Sequence, residues 1–131
     1  MKTVMAQGVF DILHPGHLHY FEQSKERGEE LIVVIARDSR IEKDTYFSEE
    51  ERREMVEALE NVDKALLGNK GSIYKVLEEI NPDVITLGYD QDHDEEQVKD
   101  MAEDITGHEV EVSRISKHED YSSSSIRNFS H

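Results

Sequence analysis

The chain has 131 residues, a length typical of one domain, and its lack of cysteine excludes disulfide bonds and thiolate metal sites. The 30 acidic residues outnumber the 15 basic ones, and the net charge of −15 disfavours binding to nucleic acid or anionic membranes. No apolar run approaches the roughly 20 residues of a membrane helix, and the N-terminus lacks the apolar core of a signal peptide. We therefore expect one domain over residues 1–131, in the cytoplasm, with no nucleic-acid or membrane partner.

Segments with the short apolar pattern of strands alternate with segments that carry apolar residues at helical spacing. The predicted strands are residues 3–8, 31–36, 64–67, 83–87 and a fifth around Val110 and Val112. The predicted helices are residues 17–27, 48–59, 72–80, 95–105 and 122–129. This alternation indicates the α/β class, with a Rossmann-like, doubly wound sheet of five parallel strands in a single domain.

Open parallel sheets bind ligands outside the carboxyl ends of their strands, where the strand order reverses. Five segments of the chain follow the predicted strands and meet at that edge. They are residues 8–17, 36–47, 67–72, 88–94 and 113–125.

The first of these segments, from Gly8 to His17, reads GVFDILHPGH. His14 and His17 are three residues apart at the start of a helix, so both can point the same way across one turn. Gly16 has no side chain to block a phosphate, and the helix start offers unpaired N–H groups and a positive dipole end. Imidazole donors aimed at phosphate oxygens would stabilise charge on a leaving pyrophosphate. The alternatives are that the two histidines only cap and pack, or that they bind a metal.

This run resembles the (T/V)FDxxHxGH signature of the cytidylyltransferase-like nucleotidyltransferases, and the resemblance extends over nearly the whole chain. It implies an enzyme that transfers a nucleoside monophosphate from a nucleoside triphosphate to a small phosphorylated acceptor and releases pyrophosphate. It also implies a divalent cation such as Mg²⁺, no covalent enzyme intermediate and, by default, a homodimer. His14 and His17 would contact the triphosphate and stabilise the in-line transition state.

Other residues of the same run would border the nucleotide if the resemblance holds. They are Gly8, Val9, Phe10, Asp11 and Gly16. Asp11 matches an aspartate of the family signature and would orient the site or its cation.

The resemblance gives the loop after the second predicted strand a role at the acceptor. Relatives carry a lysine or arginine cluster there, and Lys43, the one fair match, would act beside the histidines. Arg37 and Asp38 would face the acceptor, although a charged loop can also be plain solvated surface. Arg52 resembles the (E/H)xR start of the following helix and would reach the acceptor, or pair with a glutamate four residues away.

Two later segments complete the expected nucleotide site. Asp90 falls where relatives carry an aspartate near the nucleoside, although a turn carboxylate is the alternative. A serine run near the C-terminus resembles the family's motif for the triphosphate, because hydroxyls and backbone N–H groups at a helix start form a phosphate cradle. The residues assigned there are Ser122, Ser123, Ser124, Arg127 and Lys117, the last standing near the place of an arginine in relatives.

Two members of the family fit the chain and imply different substrates. The central block, residues 52–91, looks like archaeal FAD synthases, which adenylylate FMN. The short length, Tyr46-x-Ser48 and the closing serines look like glycerol-3-phosphate cytidylyltransferases. Because the chain has no tryptophan or C-terminal extension to form a wall for a flavin ring, cytidylyl transfer to a small acceptor is ranked first.

Alternatives outside catalysis also follow from the sequence. A regulatory module could keep the fold and bind a nucleotide without turnover, but the presence of both histidines, Asp11 and the serine motif favours an enzyme. A metal-storage protein is disfavoured, since the remaining histidines show no ligand spacing. The acidic runs, such as residues 49–51 and 92–96, indicate a solvated surface or an adaptation to a high-salt cytoplasm.

Overall fold

The computed structural model describes residues 1–40, 45–68, 73–89, 91 and 93–116. Five strands and four α-helices alternate along these residues. They are β1 (Thr3–Gly8), α1 (Pro15–Lys25), β2 (Glu30–Ile35), α2 (Glu49–Glu57), β3 (Lys64–Leu67), α3 (Ile73–Ile80), β4 (Val84–Leu87), α4 (Glu95–Thr106) and β5 (Glu111–Arg114). A short 3-10 turn (Asp38–Arg40) follows β2.

All five strands are parallel and form one sheet in the order β3-β2-β1-β4-β5. The chain winds outward from β1 to β3 and then returns to β4 and β5, so the strand order reverses between β1 and β4. This confirms the predicted doubly wound α/β fold, and it places the reversal point beside the end of β1.

Alternate residues of the strands supply two apolar cores, one on each face of the sheet. On one face Val4 and Ala6 pack with Phe21 of α1 and Val56 of α2. On the other face a second set of strand residues packs with α3 and α4; it includes Met5, Val34, Ile85, Val76, Leu77 and Ala102. Within the described residues, no helix is both long and apolar enough to cross a membrane.

β1 and β4 diverge towards their carboxyl ends. Their ladder pairs Val4 with Val84 and Met5 with Ile85. Beyond it, the Thr86 carbonyl accepts a hydrogen bond from the Tyr20 hydroxyl at 2.7 Å, so α1 supplies a donor for this buried carbonyl. The divergence opens a crevice at the edge of the sheet where the candidate residues lie.

The element boundaries differ from the predicted ones by at most two residues, and the ends of two helices have a clear physical cause. α1 begins at Pro15, two residues earlier than expected, because His14 caps the helix and proline suits its first position. α4 ends at Thr106, one residue later than expected, because Gly107 caps it with a left-handed φ of 77° that glycine adopts without strain. The predicted helix over residues 122–129 lies outside the described residues.

Candidate active site

The two histidines form the N-terminal cap of α1. Nδ1 of His14 accepts a hydrogen bond from the Gly16 N–H at 3.0 Å, and Nδ1 of His17 accepts one from the His14 N–H at 3.3 Å. The rings stack with their centroids 3.9 Å apart. Because an accepting Nδ1 leaves the proton of a neutral imidazole on Nε2, each ring presents Nε2–H as a donor. Capping and donation, which the sequence offered as alternatives, therefore use different nitrogens of the same rings.

The ring of Phe10 packs against His17 and so helps to fix the position of the histidine pair. Its ring is buried and meets the His17 ring edge-on, with the centroids 5.3 Å apart. The Phe10 backbone has a φ of 51°, an unusual conformation for a bulky residue. A Cβ added to Gly8 would lie 2.6 Å from Cζ of Phe10, so the ring packs directly on the glycine. The side chain of Phe10 thus belongs to the core, and a role at the nucleotide would have to use its backbone.

The Asp11 carboxylate fastens the segment that precedes α2. It accepts hydrogen bonds from the Tyr46 N–H at 2.9 Å and the Phe47 N–H at 3.0 Å. These bonds occupy both carboxylate oxygens, so the structure gives Asp11 a task in positioning two loops against each other. In the same way the Gly16 N–H is already used by His14, and a role for Gly16 would rest on its missing side chain.

Arg52 is fully buried although it was expected to reach the acceptor. Its guanidinium donates to the Val9 carbonyl at 2.9 Å, the Phe47 carbonyl at 3.3 Å and the Asp38 carboxylate at 2.6 Å. These oxygens come from the loops after β1, before α2 and after β2. Arg52 and its partner Asp38 therefore brace three loops at the carboxyl edge of the sheet.

A second bridge joins the loops after β2 and β3 to the start of α2. Arg37 donates to the Glu49 carboxylate at 3.1 Å and to the Gly68 carbonyl, and Glu49 also accepts from the Asp38 N–H at 2.9 Å. Ser48 caps α2 in a reciprocal capping box with Glu51, and this Ser-x-x-Glu spacing is a helix-start pattern that is visible in the sequence. The two bridges fix the start of α2 relative to the ends of β2 and β3.

A cleft of about 440 Å³ opens at this edge of the sheet, within the size range of small-molecule sites. Its apolar lining comes from Val9, Val34, Ala36 and Val76, and its other lining residues are Gln7, Gly8, Arg37, Gly68, Gln91 and His93. Of the sequence-predicted residues, Gly8, Val9 and Arg37 line it.

The segment between β4 and α4 supplies one wall of the cleft. Gln91 donates from Nε2 to the Gln7 carbonyl at 2.8 Å and accepts from the Gly88 N–H at 2.9 Å. Arg114, at the end of β5, donates to the Gly88 carbonyl at 2.8 Å and the Gln91 carbonyl at 2.7 Å. Neither Gln91 nor Arg114 stands in a recognisable motif, so neither could be assigned to the site from the sequence.

Several assigned residues lie outside the part of the chain that the structure describes. They are Lys43, Asp90, Lys117, Ser122, Ser123, Ser124 and Arg127. Among the residues that are described, no group of three or more His, Asp or Glu side chains is placed to bind a metal ion.

A doubly wound parallel sheet whose first helix is capped by the two histidines of an HxGH motif defines the class: this chain is a nucleotidyltransferase. Residues 5–129 match the cytidylyltransferase-like family, and the chain belongs to that family.

Relatives of the chain carry a more specific name. A protein of Aciduliprofundum boonei named FAD synthase is 46% identical over 123 residues, which cover 92% of this chain and 82% of that protein. A Picrophilus torridus protein of the same name is 47% identical over 129 residues, 95% of this chain and 92% of that one. A crystal structure from Thermoplasma volcanium, described as a lipopolysaccharide core biosynthesis protein, is 46% identical with a TM-score of 0.85 and covers 90% of this chain and 98% of that one.

These relatives bear on the two activities considered from the sequence. Glycerol-3-phosphate cytidylyltransferase, which was ranked first, is not specifically supported, whereas the alternative has the name that the relatives share.

Proposed function

We propose that this chain is an FMN adenylyltransferase that transfers AMP from ATP to the phosphate of FMN and releases pyrophosphate. The observation that carries this proposal is the similarity of nearly the whole chain to proteins named FAD synthase. The geometry of the histidine cap supplies the chemistry, and the apolar cleft supplies room for an aromatic ring.

The cleft weakens the argument that ranked a small acceptor first. A small acceptor was ranked first because the chain has no tryptophan to form the wall of a flavin site. Aliphatic side chains at the end of β2, Val34 and Ala36, and Val76 of α3 instead provide an apolar surface within one chain. An isoalloxazine ring gains from contact with such a surface in proportion to the apolar area that it buries.

The proposed reaction is an in-line substitution at the α-phosphorus of ATP. An oxygen of the FMN phosphate forms a new bond to that phosphorus, and the bond from the same phosphorus to the α,β-bridging oxygen breaks, so pyrophosphate leaves with the electron pair of that bond. His14 and His17 would donate from Nε2 to oxygens on which negative charge builds. Because their Nδ1 atoms are fixed by the cap, both donors are oriented before the substrates bind.

The remaining assigned residues have supporting or acceptor roles in this proposal. Asp11, Asp38 and Arg52 position the loops around the cleft. Arg37, which lines the cleft, is the described residue best placed to face the acceptor.

Lys43, Asp90, Lys117 and the serine run with Arg127 keep the roles implied by the family resemblance. Mg²⁺ would enter bound to the triphosphate, since Mg²⁺ is commonly coordinated by substrate phosphates with few protein ligands. Excess chelator would then abolish turnover. The homodimer remains a default expectation, to be checked by light scattering.

The test is a panel of ATP and CTP against FMN and glycerol-3-phosphate, read by pyrophosphate release and by chromatography of the product. We expect FAD from ATP and FMN, with kcat/KM at least about 10²-fold above that for CTP and glycerol-3-phosphate. Faster formation of CDP-glycerol would overturn the proposal in favour of the first-ranked activity. Absence of turnover with every pair would favour the regulatory module.

A variant of Gly68 tests whether the flavin occupies the cleft. Among the described residues, the atoms nearest to a Cβ at Gly68 would be the Ile35 carbonyl oxygen at 3.5 Å and Cγ1 of Val34 at 3.7 Å, which are ordinary van der Waals contacts. Gly68→Val should therefore preserve the melting temperature while raising the KM for FMN by about tenfold. An unchanged KM for FMN in the folded variant would place the ring elsewhere.

A further inference from the structure

Arg114 connects β5 to the described residues between β4 and α4, which we call the β4–α4 segment and which are Gly88, Tyr89, Gln91, His93 and Asp94. Its Nη1 donates to the carbonyls of Gly88 at 2.8 Å and Gln91 at 2.7 Å, and its Nη2 donates to the carbonyl of His93. Its Nε donates to the Glu95 carboxylate at the start of α4. One guanidinium thus binds three carbonyls of a single connection.

The β4–α4 segment is also hydrogen-bonded to the end of β1. The Gln91 side chain spans from the Gln7 carbonyl, at the end of β1, to the Gly88 N–H. The side chains of Gln91 and His93 line the cleft. Arg114 and Gln91 together determine where this wall of the cleft lies relative to β1.

The chemistry of this contact requires an arginine. A guanidinium has five donors in a fixed planar arrangement, whereas a lysine ammonium is a compact charge with three rotatable donors. Lysine at position 114 could reach one or two of these oxygens but could not fix all four acceptors in one geometry.

We propose that Arg114 is a positioning residue that sets substrate affinity by fixing the β4–α4 segment as a wall of the cleft. The inference rests on the proposed function to the extent that a substrate must occupy the cleft. Arg114 is not expected to touch the reacting phosphates, because its described contacts are with the segment and with Glu95. Its loss should therefore change KM more than kcat.

The experiment compares R114K and R114Q with R53K and R53Q. Arg53 is a matched control, since its side chain is 24% exposed against 29% for Arg114, and within the described part of the chain its ion pairs are with Glu50 and Glu57 of its own helix. In R114Q we expect the amides of Gly88 and Gln91 to exchange with solvent about tenfold faster. The KM for ATP or FMN should rise at least about fivefold, with kcat within about twofold of wild type. R114K should lie between wild type and R114Q.

The outcomes separate this inference from the proposed function. If the wild-type protein makes no FAD, the proposed function fails, and amide exchange together with direct titration of ATP and FMN still tests Arg114. If R114Q changes neither amide exchange nor KM more than R53Q does, Arg114 is not a positioning residue. Faster exchange with both KM values unchanged also overturns the proposal, because the segment would then not affect the cleft. If R114Q fails to fold, R114K decides by the same measurements.

Discussion

At the scale of single residues, the histidine cap explains why two imidazoles rather than two amides or carboxylates begin α1. An imidazole accepts a backbone N–H at Nδ1 and carries its donor hydrogen across the ring at Nε2, whereas the donor of an amide adjoins its acceptor and a carboxylate has no donor. The packing of Phe10 against His17 adds to this constraint. The first turn of the helix is therefore also the first part of the proposed catalytic apparatus.

Substitution by asparagine tests separately the two tasks of the histidines, which are capping the helix and donating from Nε2. Its amide oxygen can take the place of Nδ1 and is a favourable helix cap, but it has no group at the position of Nε2. We expect His14→Asn and His17→Asn to fold with a near-normal melting temperature and to lose about 10² or more in kcat. His14→Ala, the control, should lose activity and also about 1 kcal/mol of stability. Near-wild-type turnover in either asparagine variant would show that the histidines serve only as a cap.

Sequence reasoning found the histidines but not the tasks of their neighbours. His14 and His17 stand in a motif, so their adjacency follows from helical spacing. The burial of Arg52 could not be predicted, because its acceptors come from residues 5, 14 and 43 positions away along the chain. The same applies to Arg114, whose acceptors become neighbours only once β5 pairs with β4.

At the scale of elements, a buried group of hydroxyls fixes α1 against β4. The Tyr20 hydroxyl donates to the Thr86 carbonyl, and the hydroxyls of Ser24 and Thr86 lie 2.8 Å apart. Ser24 and Thr86 are fully buried, so these bonds replace water that the groups have lost on folding. The helix that begins with the histidine cap is thereby held beside the divergence of β1 and β4.

Removing one hydroxyl from this group should destabilise the fold measurably. Tyr20→Phe leaves the Thr86 carbonyl without its Tyr20 donor in a buried position, which costs about 1–3 kcal/mol in the free energy of unfolding. Tyr46→Phe is the control, since the Tyr46 side chain is 82% exposed and its loss should cost nothing measurable. Equal midpoints of urea denaturation for both variants would contradict the role assigned to the hydroxyl group.

The order of elements was predictable because every strand and helix has a strong local pattern. Residues 31–36 form a continuous apolar run that suits a strand buried on both faces, and Ser48 with Glu51 marks the start of α2. The start of α1 was predicted two residues late, because histidine is not among the residues that usually cap helices. The divergence of β1 from β4 could not be predicted, since it depends on contacts of Tyr20 and Gln91 across the sheet.

At the scale of the whole molecule, the net charge of −15 has to coexist with the binding of an anionic triphosphate. Screening by salt shortens the reach of the surface repulsion to about 3 Å at 1 M. We expect the melting temperature to rise between about 0.1 M and 2 M potassium chloride, while the KM for nucleotide rises because salt also weakens phosphate contacts. A melting temperature that is flat or falls over this range would exclude a salt-adapted surface.

Two carboxylates make stability depend on acid pH. A hydrogen bond from the Ala65 N–H lowers the pKa of Glu57, and one from the Val110 N–H lowers the pKa of Glu103. A carboxyl with a lowered pKa in the fold contributes stability above its ordinary pKa of 4.5, and that stability is lost as pH falls through its folded pKa. Glu57→Gln should therefore make the melting temperature fall less steeply below that pH. The change in the free energy of unfolding should be less than about 1 kcal/mol, because the Glu57 side chain is half-exposed. Glu60→Gln, at an exposed position, should leave the fall unchanged; identical profiles for both variants would contradict the assignment.

The central claim is that the adenylyl group of ATP is transferred to FMN at the site built around the two histidines. The most direct measurement follows ATP labelled at the α-phosphate, and separately at the γ-phosphate, in single-turnover reactions with FMN. The account predicts that the α label appears in FAD and the γ label in pyrophosphate, in equal amounts, and that both transfers are lost together in His14→Asn. Transfer of the γ label to the flavin, or release of labelled pyrophosphate without a labelled dinucleotide, would contradict it.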